Sequence, residues 1–496
     1  MFFGGRTPGR ENARQRVSQK ARIFAGRCSR TAVELVLVLV LAVVAAPAFA
    51  QAPVRTIDLG PNAQVWFVED HTVPIVSFNV SLPAGAAHDP SGKAGLASFA
   101  AAMMDEGAGD MNSAAFQQAL ANRAIQFYAR ADRDFTVISV NALTEHAGEA
   151  LRLLQLALTR PRFDNDALTR VRTAMIQSLQ QEAAEPAQVA SKAFMRDFFN
   201  GHPYGRPVNG DIASIGAITR DDLRAFTRRN WTRNGIRIAV AGAISQPALT
   251  KLLSQTFSPL PNNAVPVVRN IGRLGWPGVH VVPMNVPQPA VMFGLPGIMR
   301  DDPDFIPGYV ANYVLGGGGF SSRMMEELRN RRGLTYGVST GITPWRKASV
   351  MIGQVGTRAE AVNQTVQVVR QVMGDFAKTG PTQAELDDAK TYLTGSFPMA
   401  FASNTGIAAQ LGTFQRQGLD VGYVARRNSL IQAVTLEDVR RVARRLYDPA
   451  RLTVTVAGTP GGGPAAQQPR PTPMAPKPDA KPVDKPAQPP GTNPQR

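Results

Sequence analysis

The sequence of 496 residues is 44% hydrophobic and 18% charged, which is enough apolar material to bury a large core and excludes a wholly disordered or fibrous chain. Its single cysteine, Cys28, excludes a disulfide-stapled scaffold and a zinc site built from cysteines. The formal charge of +17 first suggests nucleic acid or a membrane surface as a partner. The distribution of that charge along the chain decides whether such a partner is expected.

Residues 1–50 have the layout of a secretory signal peptide. They carry eight basic residues against two acidic ones, then a run of twelve apolar residues at 35–46, then Ala48-Phe49-Ala50, which fits the small-residue cleavage rule. Twelve residues rise only ~18 Å as a helix, against ~30 Å of bilayer hydrocarbon, so no stable membrane span is expected. We predict cleavage after Ala50 and a periplasmic or secreted chain, with an uncleaved anchor as the alternative.

Strands and helices come in groups along the middle of the chain. Strands are predicted at 63–68, 75–82, 279–282 and 290–294. Helices are predicted at 94–104, 113–123, 145–159, 165–182 and 307–314. Strands grouped with helix pairs, rather than alternating with single helices, predict α+β domains with a mostly antiparallel sheet.

An internal duplication divides this middle part into two halves. Residues 215–224 parallel residues 431–440 without a gap, at an offset of 216 residues. In each copy a threonine and an aspartate three positions later predict a capping box, and an alternating strand that ends at glycine follows the helix. The capping pairs are Thr219 with Asp222 and Thr435 with Asp438. We therefore predict two homologous domains, at 51–262 and 263–458.

Residues 459–496 contain 12 prolines in 38 residues and few apolar side chains, so we predict a disordered, extended tail. A passive linker and a contact with the cell envelope both remain open for it. The signal peptide holds +6 of the net charge and the tail +3, which leaves +8 for residues 51–458. No lysine–arginine block interleaved with aromatic residues occurs there, so nucleic-acid binding is not expected.

Residues 84–97, AGAAHDPSGKAGLA, resemble the lead-in to the active-site helix of pitrilysin/insulinase-type zinc peptidases, the inverted-zincin and processing-peptidase-like family. The resemblance extends over about residues 53–458. It implies the LuxS/mitochondrial-processing-peptidase-like metallohydrolase fold, in which two α+β domains enclose a chamber that holds peptides.

The metal site of that family is degenerate here. In the family the next residues read H-x-x-E-H, where two histidines bind zinc and the glutamate activates a water. The matching positions are Ser98, Ala101 and Ala102, and the family's third ligand, a glutamate on a later helix, falls near Ser178. None of the five histidines offers a second ligand at helical spacing, although His88 lies close in sequence to the lost site. The resemblance therefore implies no metal and no cofactor in this chain.

Residues 315–336 resemble the signature of the family's C-terminal domain. In active relatives an arginine and a tyrosine seven residues apart reach into the partner half's active site, hold the substrate backbone and stabilise the developing oxyanion. Arg329 and Tyr336 match that pair. A surface ion pair of Arg329 with Glu326 or Glu327, and an interior position for Tyr336, are the structural alternatives.

The glycine run at 316–319 resembles the glycine-rich loop that non-catalytic subunits of the family use near substrate. The resemblance implies that Gly317, Gly318, Phe320 and Ser321 contact substrate. A simple helix-entry turn is the alternative, and a phosphate loop is excluded because no Lys-Ser/Thr pair follows.

The sequence thus predicts an exported, non-catalytic subunit of a two-chain zinc peptidase. It would bind peptide and donate Arg329 and Tyr336 to a catalytic H-x-x-E-H paralogue, which would carry the zinc in a heterodimer. A peptide-binding or assembly protein without a peptidase partner is the first alternative. An enzyme with a different, unrecognised site is the second.

Overall fold

Two β-sheets, one in each half of the chain, organise the protein. A computed structural model describes residues 53–60, 62–272 and 274–461. The predicted signal peptide with its cleavage point lies outside the described residues, as does the predicted tail beyond residue 461. Between these limits the predicted α+β architecture is confirmed.

The first sheet has six strands, and a two-strand hairpin, Gly107–Ala108 (β4) with Met111–Asn112 (β5), lies apart from it. Its strands are Arg55–Ile57 (β1), Gln64–Glu69 (β2), Ile75–Leu82 (β3), Gln126–Ala131 (β6), Thr136–Leu143 (β7) and Arg237–Gly242 (β8). Their order across the sheet is β1-β2-β8-β3-β7-β6. Only β2 and β8 run parallel, and the other neighbours in this sheet are antiparallel.

The second sheet repeats this plan with five strands. They are Gly278–Val282 (β9), Ala290–Pro296 (β10), Val338–Pro344 (β11), Ser349–Gly356 (β12) and Thr453–Ala457 (β13), in the order β11-β12-β10-β13-β9. Again one pair, β13 with β9, is parallel. The equivalent of β2 is β9, but no described strand covers its outer edge as β1 covers β2.

Fourteen α-helices of at least six residues surround the two sheets in the described part of the chain. In the first half they are Leu96–Ala102 (α1), Ser113–Ala121 (α2), Ala147–Thr159 (α3), Asn165–Ala184 (α4), Pro186–Phe199 (α5), Ile212–Ala217 (α6), Arg220–Asn230 (α7) and Gln246–Phe257 (α8). In the second half they are Phe305–Asn312 (α9), Val362–Thr379 (α10), Gln383–Gly395 (α11), Asn404–Arg416 (α12), Tyr423–Gln432 (α13) and Leu436–Leu446 (α14). None of the described helices is long and apolar enough to cross a membrane.

Both predicted capping boxes are present at equivalent helices. At the start of α7, Thr219 N–H donates to the Asp222 carboxylate (2.7 Å), and Asp222 N–H donates to Thr219 Oγ1 (3.2 Å). At the start of α14, Thr435 and Asp438 make the same two bonds, at 3.0 and 3.1 Å. Because each box satisfies N–H groups that have no partner inside the helix, both helices begin at the predicted residue.

The two halves exchange one helix each. Helix α5 of the first half packs on β10 and β13 of the second sheet, where Phe194 and Phe198 share a buried cluster with Met292 and Val350. Helix α12 of the second half packs on β3 and β8 of the first sheet, where Leu411 and others bury Trp66. The opposite face of each sheet is covered by helices of its own half. Neither sheet is therefore buried on both faces without the other half.

Polar contacts fix α12 on the first sheet. The Gln415 amide donates to the main-chain oxygens of Gln64 (3.0 Å) and Ile238 (3.2 Å), and Arg416 Nη1 donates to Asn79 (3.1 Å) and Ser81 (3.0 Å). Gln415 is fully buried, and its two N–H bonds offset part of the cost of removing an amide from water, while its Oε1 has no partner among the described residues. The register of α12 on the sheet is thereby specified.

Candidate functional site

The positions of the degenerate metal site meet at one cavity. Ser98 and Ala102 on α1 and Ser178 on α4 line a cavity of about 230 Å3, and Ala101 is buried in the same turn of α1. The edge strand β6 and Asn209 form the rest of the wall. Residues that are about eighty positions apart in sequence thus come together as the family resemblance implies.

The start of α1 is held by a buried carboxylate. Asp89 accepts hydrogen bonds from the main-chain N–H groups of Gly95 (2.8 Å) and Ala97 (2.9 Å), which are free at the helix N-terminus. Burial raises the pKa of the Asp89 carboxyl to about 7, although these N–H donors and the charge of Arg206 oppose the shift. Gly95 has φ of +88°, and a side chain there would meet the main chain of Asn209 and Gly210 at 2.8 Å. Helix α1 is therefore held in place although it carries no metal ligands.

The side chains around this cavity do not fit a zinc ion. Ser98 Oγ donates to the Val208 carbonyl (2.8 Å), and the two alanines offer only methyl groups. Glu182, one turn after Ser178, lines the cavity but forms an ion pair with Lys192 (2.7 Å). Within residues 53–461 as described, no three His, Cys, Asp or Glu side chains are grouped as metal ligands. Protein zinc sites need three or four such ligands, so the residues around this cavity do not form a zinc site.

The histidines near this region hold the segment that joins the two halves. His202 Nδ1 accepts from Tyr204 N–H (3.1 Å), so Nε2 carries the proton and donates to the Arg269 carbonyl (3.0 Å). His88 Nε2 lies 3.0 Å from the Pro266 carbonyl. Burial is the main cause that lowers the pKa of both histidines. His88 therefore contacts the interdomain linker rather than replacing a metal ligand.

The arginine and tyrosine of the second half lie on the surface. Arg329 is exposed, and its guanidinium lies 4.8 Å from the ring centre of Phe320, a cation–π distance. Phe320 and Tyr336 are 69% and 88% exposed, which is unusual for large aromatic residues. Arg329 belongs to a π-helical turn, Glu326–Asn330, and a second π-helical turn, Tyr313–Gly317, precedes it. Such turns are rare and frequently mark functional sites.

The two structural alternatives for these residues are not found. Glu326 and Glu327 form ion pairs with Arg331, and Glu327 pairs with Arg332 as well, whereas neither pairs with Arg329. Tyr336 is not an interior aromatic. Both side chains thus remain available to a second molecule, and their predicted catalytic role stays a prediction.

The glycine run has a packing function that the sequence did not reveal. A side chain at Gly317 would meet Asn312 Nδ2 at 2.8 Å, and one at Gly318 would meet the Tyr313 carbonyl at 2.9 Å. Beyond the run, Phe320 and Ser321 line a cavity of about 610 Å3 with the charged side chains of the next helix. Close packing of the helix end thus accounts for these glycines, and substrate contact at Gly317, Gly318, Phe320 and Ser321 stays a prediction.

The two groups of predicted residues do not line the same cavity. Ser98, Ala102 and Ser178 line one, while Phe320 and Ser321 line another. Within this chain the structure therefore assembles the degenerate metal site without the arginine–tyrosine pair.

The sequence pattern did not predict two features of the site. The first is the side chain of Asp89, which caps α1. An aspartate shortly before a helix start is the sequence signal that could have indicated this cap. The π-helical turns have no pattern in the sequence that distinguishes them from α-helix.

Comparison with protein families identifies both halves. The model described as "Insulinase (Peptidase family M16)" matches residues 64–212, and the model described as "Peptidase M16 inactive domain" matches residues 217–393. Among individual proteins, the "Non-peptidase homolog YmxG" of Helicobacter pylori is 26% identical over 379 residues, which are 76% of this chain and 87% of that protein. An uncharacterized zinc protease of Mycobacterium bovis is 27% identical over 288 residues, which cover 55% of this chain and 64% of that protein.

Solved structures agree with these matches. A crystal structure of a peptidase M16 inactive domain from Pseudomonas fluorescens has a TM-score of 0.78 and 30% identity, covering 82% of this chain and 98% of that one. A protease from Helicobacter pylori has a TM-score of 0.75 at 18% identity over 82% of this chain and 99% of that one, a likeness of fold. The chain therefore belongs to the insulinase (M16) peptidase family, and its second half matches the inactive domain of that family.

Proposed function

We propose that this protein is the exported, non-catalytic subunit of a heteromeric zinc peptidase. It binds peptide and lends Arg329 and Tyr336 to the zinc site of a catalytic H-x-x-E-H paralogue. The observation that carries this proposal is the contrast between a metal cavity without ligands and an exposed arginine and tyrosine without an internal role. The proposal includes a periplasmic or secreted location, removal of the signal peptide after Ala50, and zinc only in the partner subunit.

The chemistry of peptide hydrolysis explains the choice of these two residues. Attack of water on a peptide carbonyl places negative charge on the carbonyl oxygen, and a zinc ion in the partner subunit would supply the activated water. A guanidinium is permanently charged and offers five N–H donors, and a phenol adds one neutral donor. Arg329 and Tyr336 would donate to that oxygen and to the neighbouring peptide groups, while the partner supplies the metal and the base.

Phe320 adds to this arrangement. An exposed arginine ordinarily loses side-chain entropy when it is fixed on a substrate. The stack of Arg329 on Phe320 restricts the guanidinium before a substrate arrives, which lowers that entropy cost. Exposure of the ring itself leaves an apolar surface for the side chain of a bound peptide.

The test is co-expression with an H-x-x-E-H paralogue, purification of the complex and a peptide-cleavage assay. We expect Arg329→Ala to lower kcat by about 10²–10³-fold, the usual loss for one oxyanion donor, while size-exclusion chromatography shows an intact heterodimer. Arg331→Ala is the matched control, because Arg331 is an exposed arginine two positions away that pairs with Glu326 and Glu327. It should leave kcat unchanged.

Two results would contradict the proposal. One is full turnover by a complex that contains Arg329→Ala. The other is the absence of any complex, combined with peptide binding by the chain alone, which would favour the peptide-binding or assembly protein instead.

A further inference from the structure

A polar cavity lies where the two halves and the linker between them meet. Its volume is about 240 Å3, and residues 264–268 of the linker form one wall. Three cationic side chains line it: Arg237 comes from β8 of the first sheet, and Arg346 and Lys347 come from the turn between β11 and β12 of the second sheet. The residues of this cavity are distinct from the degenerate metal site and from residues 320–336.

These three charges are not balanced by carboxylates. Across the residues that the structure describes, Arg237, Arg346 and Lys347 form no ion pair within 4.0 Å, although twenty-two ion pairs occur elsewhere in the protein. One carboxylate, Asp134, lines the cavity. Both of its oxygens already accept hydrogen bonds, Oδ1 from the Tyr204 hydroxyl and Oδ2 from the main-chain N–H of Arg346 (2.9 Å). The cavity wall therefore keeps an excess of positive charge.

Arg237 is the least compensated of the three. Its Nη1 donates to Gln64 Oε1 (2.9 Å), which is a neutral acceptor, and its Nε is buried without an acceptor among the described residues. Burial and the nearby charge of Arg346 both lower the pKa of Arg237. A buried cation next to a second cation is costly unless an anion or strong acceptor lies between them.

The two residues from the second half have donors to spare. Lys347 Nζ donates one hydrogen bond to Asn270 Oδ1 (3.1 Å), which leaves two of its three protons. The Arg346 guanidinium is exposed and lies 5.7 Å from the ring centre of Phe135. Among the described residues it forms no ion pair with an acid. Guanidinium groups with free N–H donors bind the planar or tetrahedral oxygens of carboxylates and phosphates.

We propose that this cavity binds a small oxyanion, a carboxylate or a phosphate group, through Arg237, Arg346 and Lys347. Because one ligand residue belongs to the first half and two belong to the second, the bound anion would fix the two halves relative to each other. The inference goes beyond the proposed peptidase role and does not depend on it.

The test uses the purified chain alone, titrated by isothermal calorimetry with inorganic phosphate and, separately, with citrate. Sodium chloride keeps the ionic strength constant, so general screening is the same at every point. We expect saturable binding at one site, weakened at least tenfold in the double variant Arg346→Gln/Lys347→Gln. The matched control is Arg228→Gln/Arg229→Gln, which removes the same charge from the exposed end of α7 and should bind as the original chain does.

The two probes distinguish the two sources of oxyanion. Saturation by phosphate alone assigns the site to phosphate groups, and saturation by citrate alone assigns it to carboxylates. Absence of saturation with both probes, or equal affinity in the double variant, would overturn the proposal. Arg237→Gln provides an independent measurement, and the double variant decides the outcome if that buried change prevents folding, since Arg346 and Lys347 lie on a surface turn.

Discussion

The predicted site residues of the two halves differ in their surroundings: those of the first half lie around a cavity, and those of the second half lie on the surface. The first half has the cavity, the positioned helix α1 and the later helix α4. However, serine and alanine stand at the family's ligand positions, Ser98, Ala102 and Ser178, and alanine stands at the position of its base, Ala101. The second half has Arg329 and Tyr336 on its surface, where the Arg329 guanidinium stacks on Phe320. The comparison shows that the residues which position the helices of a site differ from the residues at its ligand positions. Asp89 and Gly95 hold α1 whether or not the helix binds a metal.

The largest effect is expected from restoring the ligands in the first half. The variant Ser98→His/Ala101→Glu/Ala102→His/Ser178→Glu should take up about one zinc per chain, because the three ligand positions, Ser98, Ala102 and Ser178, line one cavity and would supply two imidazoles and a carboxylate. Metal content of the purified variant, measured by mass spectrometry after dialysis, checks this.

The control for that variant is the same protein with Ser178 left unchanged. It retains two histidines without the third ligand and should hold zinc more weakly. A folded four-residue variant that binds no zinc would mean that the cavity only resembles a metal site in its residue positions and not in its geometry.

The exchanged helices offer a second way to compare the halves. A side chain at Gly294 of β10 would meet the Met351 carbonyl at 2.6 Å and the Phe194 ring of α5 at 2.7 Å. We expect Gly294→Ala to lower the free energy of unfolding by about 1–3 kcal/mol, because main chain on one side and a buried ring on the other leave no room for a methyl group. Urea denaturation measures the change.

Gly412→Ala on α12 is the matched substitution at the contact of the other exchanged helix with its sheet. There the new methyl group meets the end of the Asn79 side chain, whose displacement would break its hydrogen bond to Arg416, but alanine favours the helix over glycine by about 1 kcal/mol and offsets part of that loss. Gly412→Ala should lower the free energy of unfolding by less than Gly294→Ala does. Equal losses of unfolding free energy at the two positions would mean that the contacts of α5 and of α12 with their sheets are equally rigid.

A smaller effect is expected from pH at the linker contact of the first half. The folded-state pKa of His202 is lowered, chiefly by burial, so the unfolded chain binds its proton more readily. The stability that the neutral ring contributes is present above the unfolded pKa of about 6.5 and is lost as the pH falls below it. The stability difference between the original protein and His202→Gln should therefore shrink as the pH is lowered from 7.5 to 5.5.

Other titrating groups are common to both proteins in that comparison. Asp89, whose pKa is raised to about 7, contributes stability that is lost as the pH rises through that value, and its contribution cancels in the difference. A difference that grows on acidification would show that His202 is charged in the folded protein.

The smallest effect concerns the second half. Arg329→Ala and Tyr336→Phe should each change the free energy of unfolding by less than about 0.5 kcal/mol, since exposed side chains without strong partners contribute little to stability. Arg323→Ala is the contrast, because Arg323 forms a two-pronged ion pair with Glu385 at 2.7 Å and should cost more. Thermal denaturation of the three variants distinguishes a functional arginine from a structural one.

Local patterns made much of the fold predictable. The capping pairs at Thr219 and Thr435 and the alternating strands that end at glycine depend on near neighbours in sequence, and each is present where it was expected. The predicted strand 75–82 agrees with β3 to the residue. The predicted helix 307–314 begins two residues earlier, at Phe305, and its end widens into a π-helical turn at Tyr313.

The candidate site was predictable to a different degree in each half. The residue types at 98, 101, 102 and 178 are facts of the sequence, so the loss of ligands needed no structure. The exposure of Tyr336 did need one, because a tyrosine in an apolar motif is compatible with a core position as well as with a surface one. The role of His88 at the linker was also hidden, since Pro266 is 178 residues away.

By itself, the sequence determined the duplication, the helix starts and the residue types at the degenerate metal site, because each can be recognised from the residue types of short segments. Only the tertiary structure decided that α5 and α12 are exchanged between the sheets, since an apolar helix face does not specify which sheet will bury it. It also decided that Arg237 meets Arg346 and Lys347, over a hundred residues away, at one cavity. Contacts of that kind depend on how whole domains dock, and no local pattern encodes them.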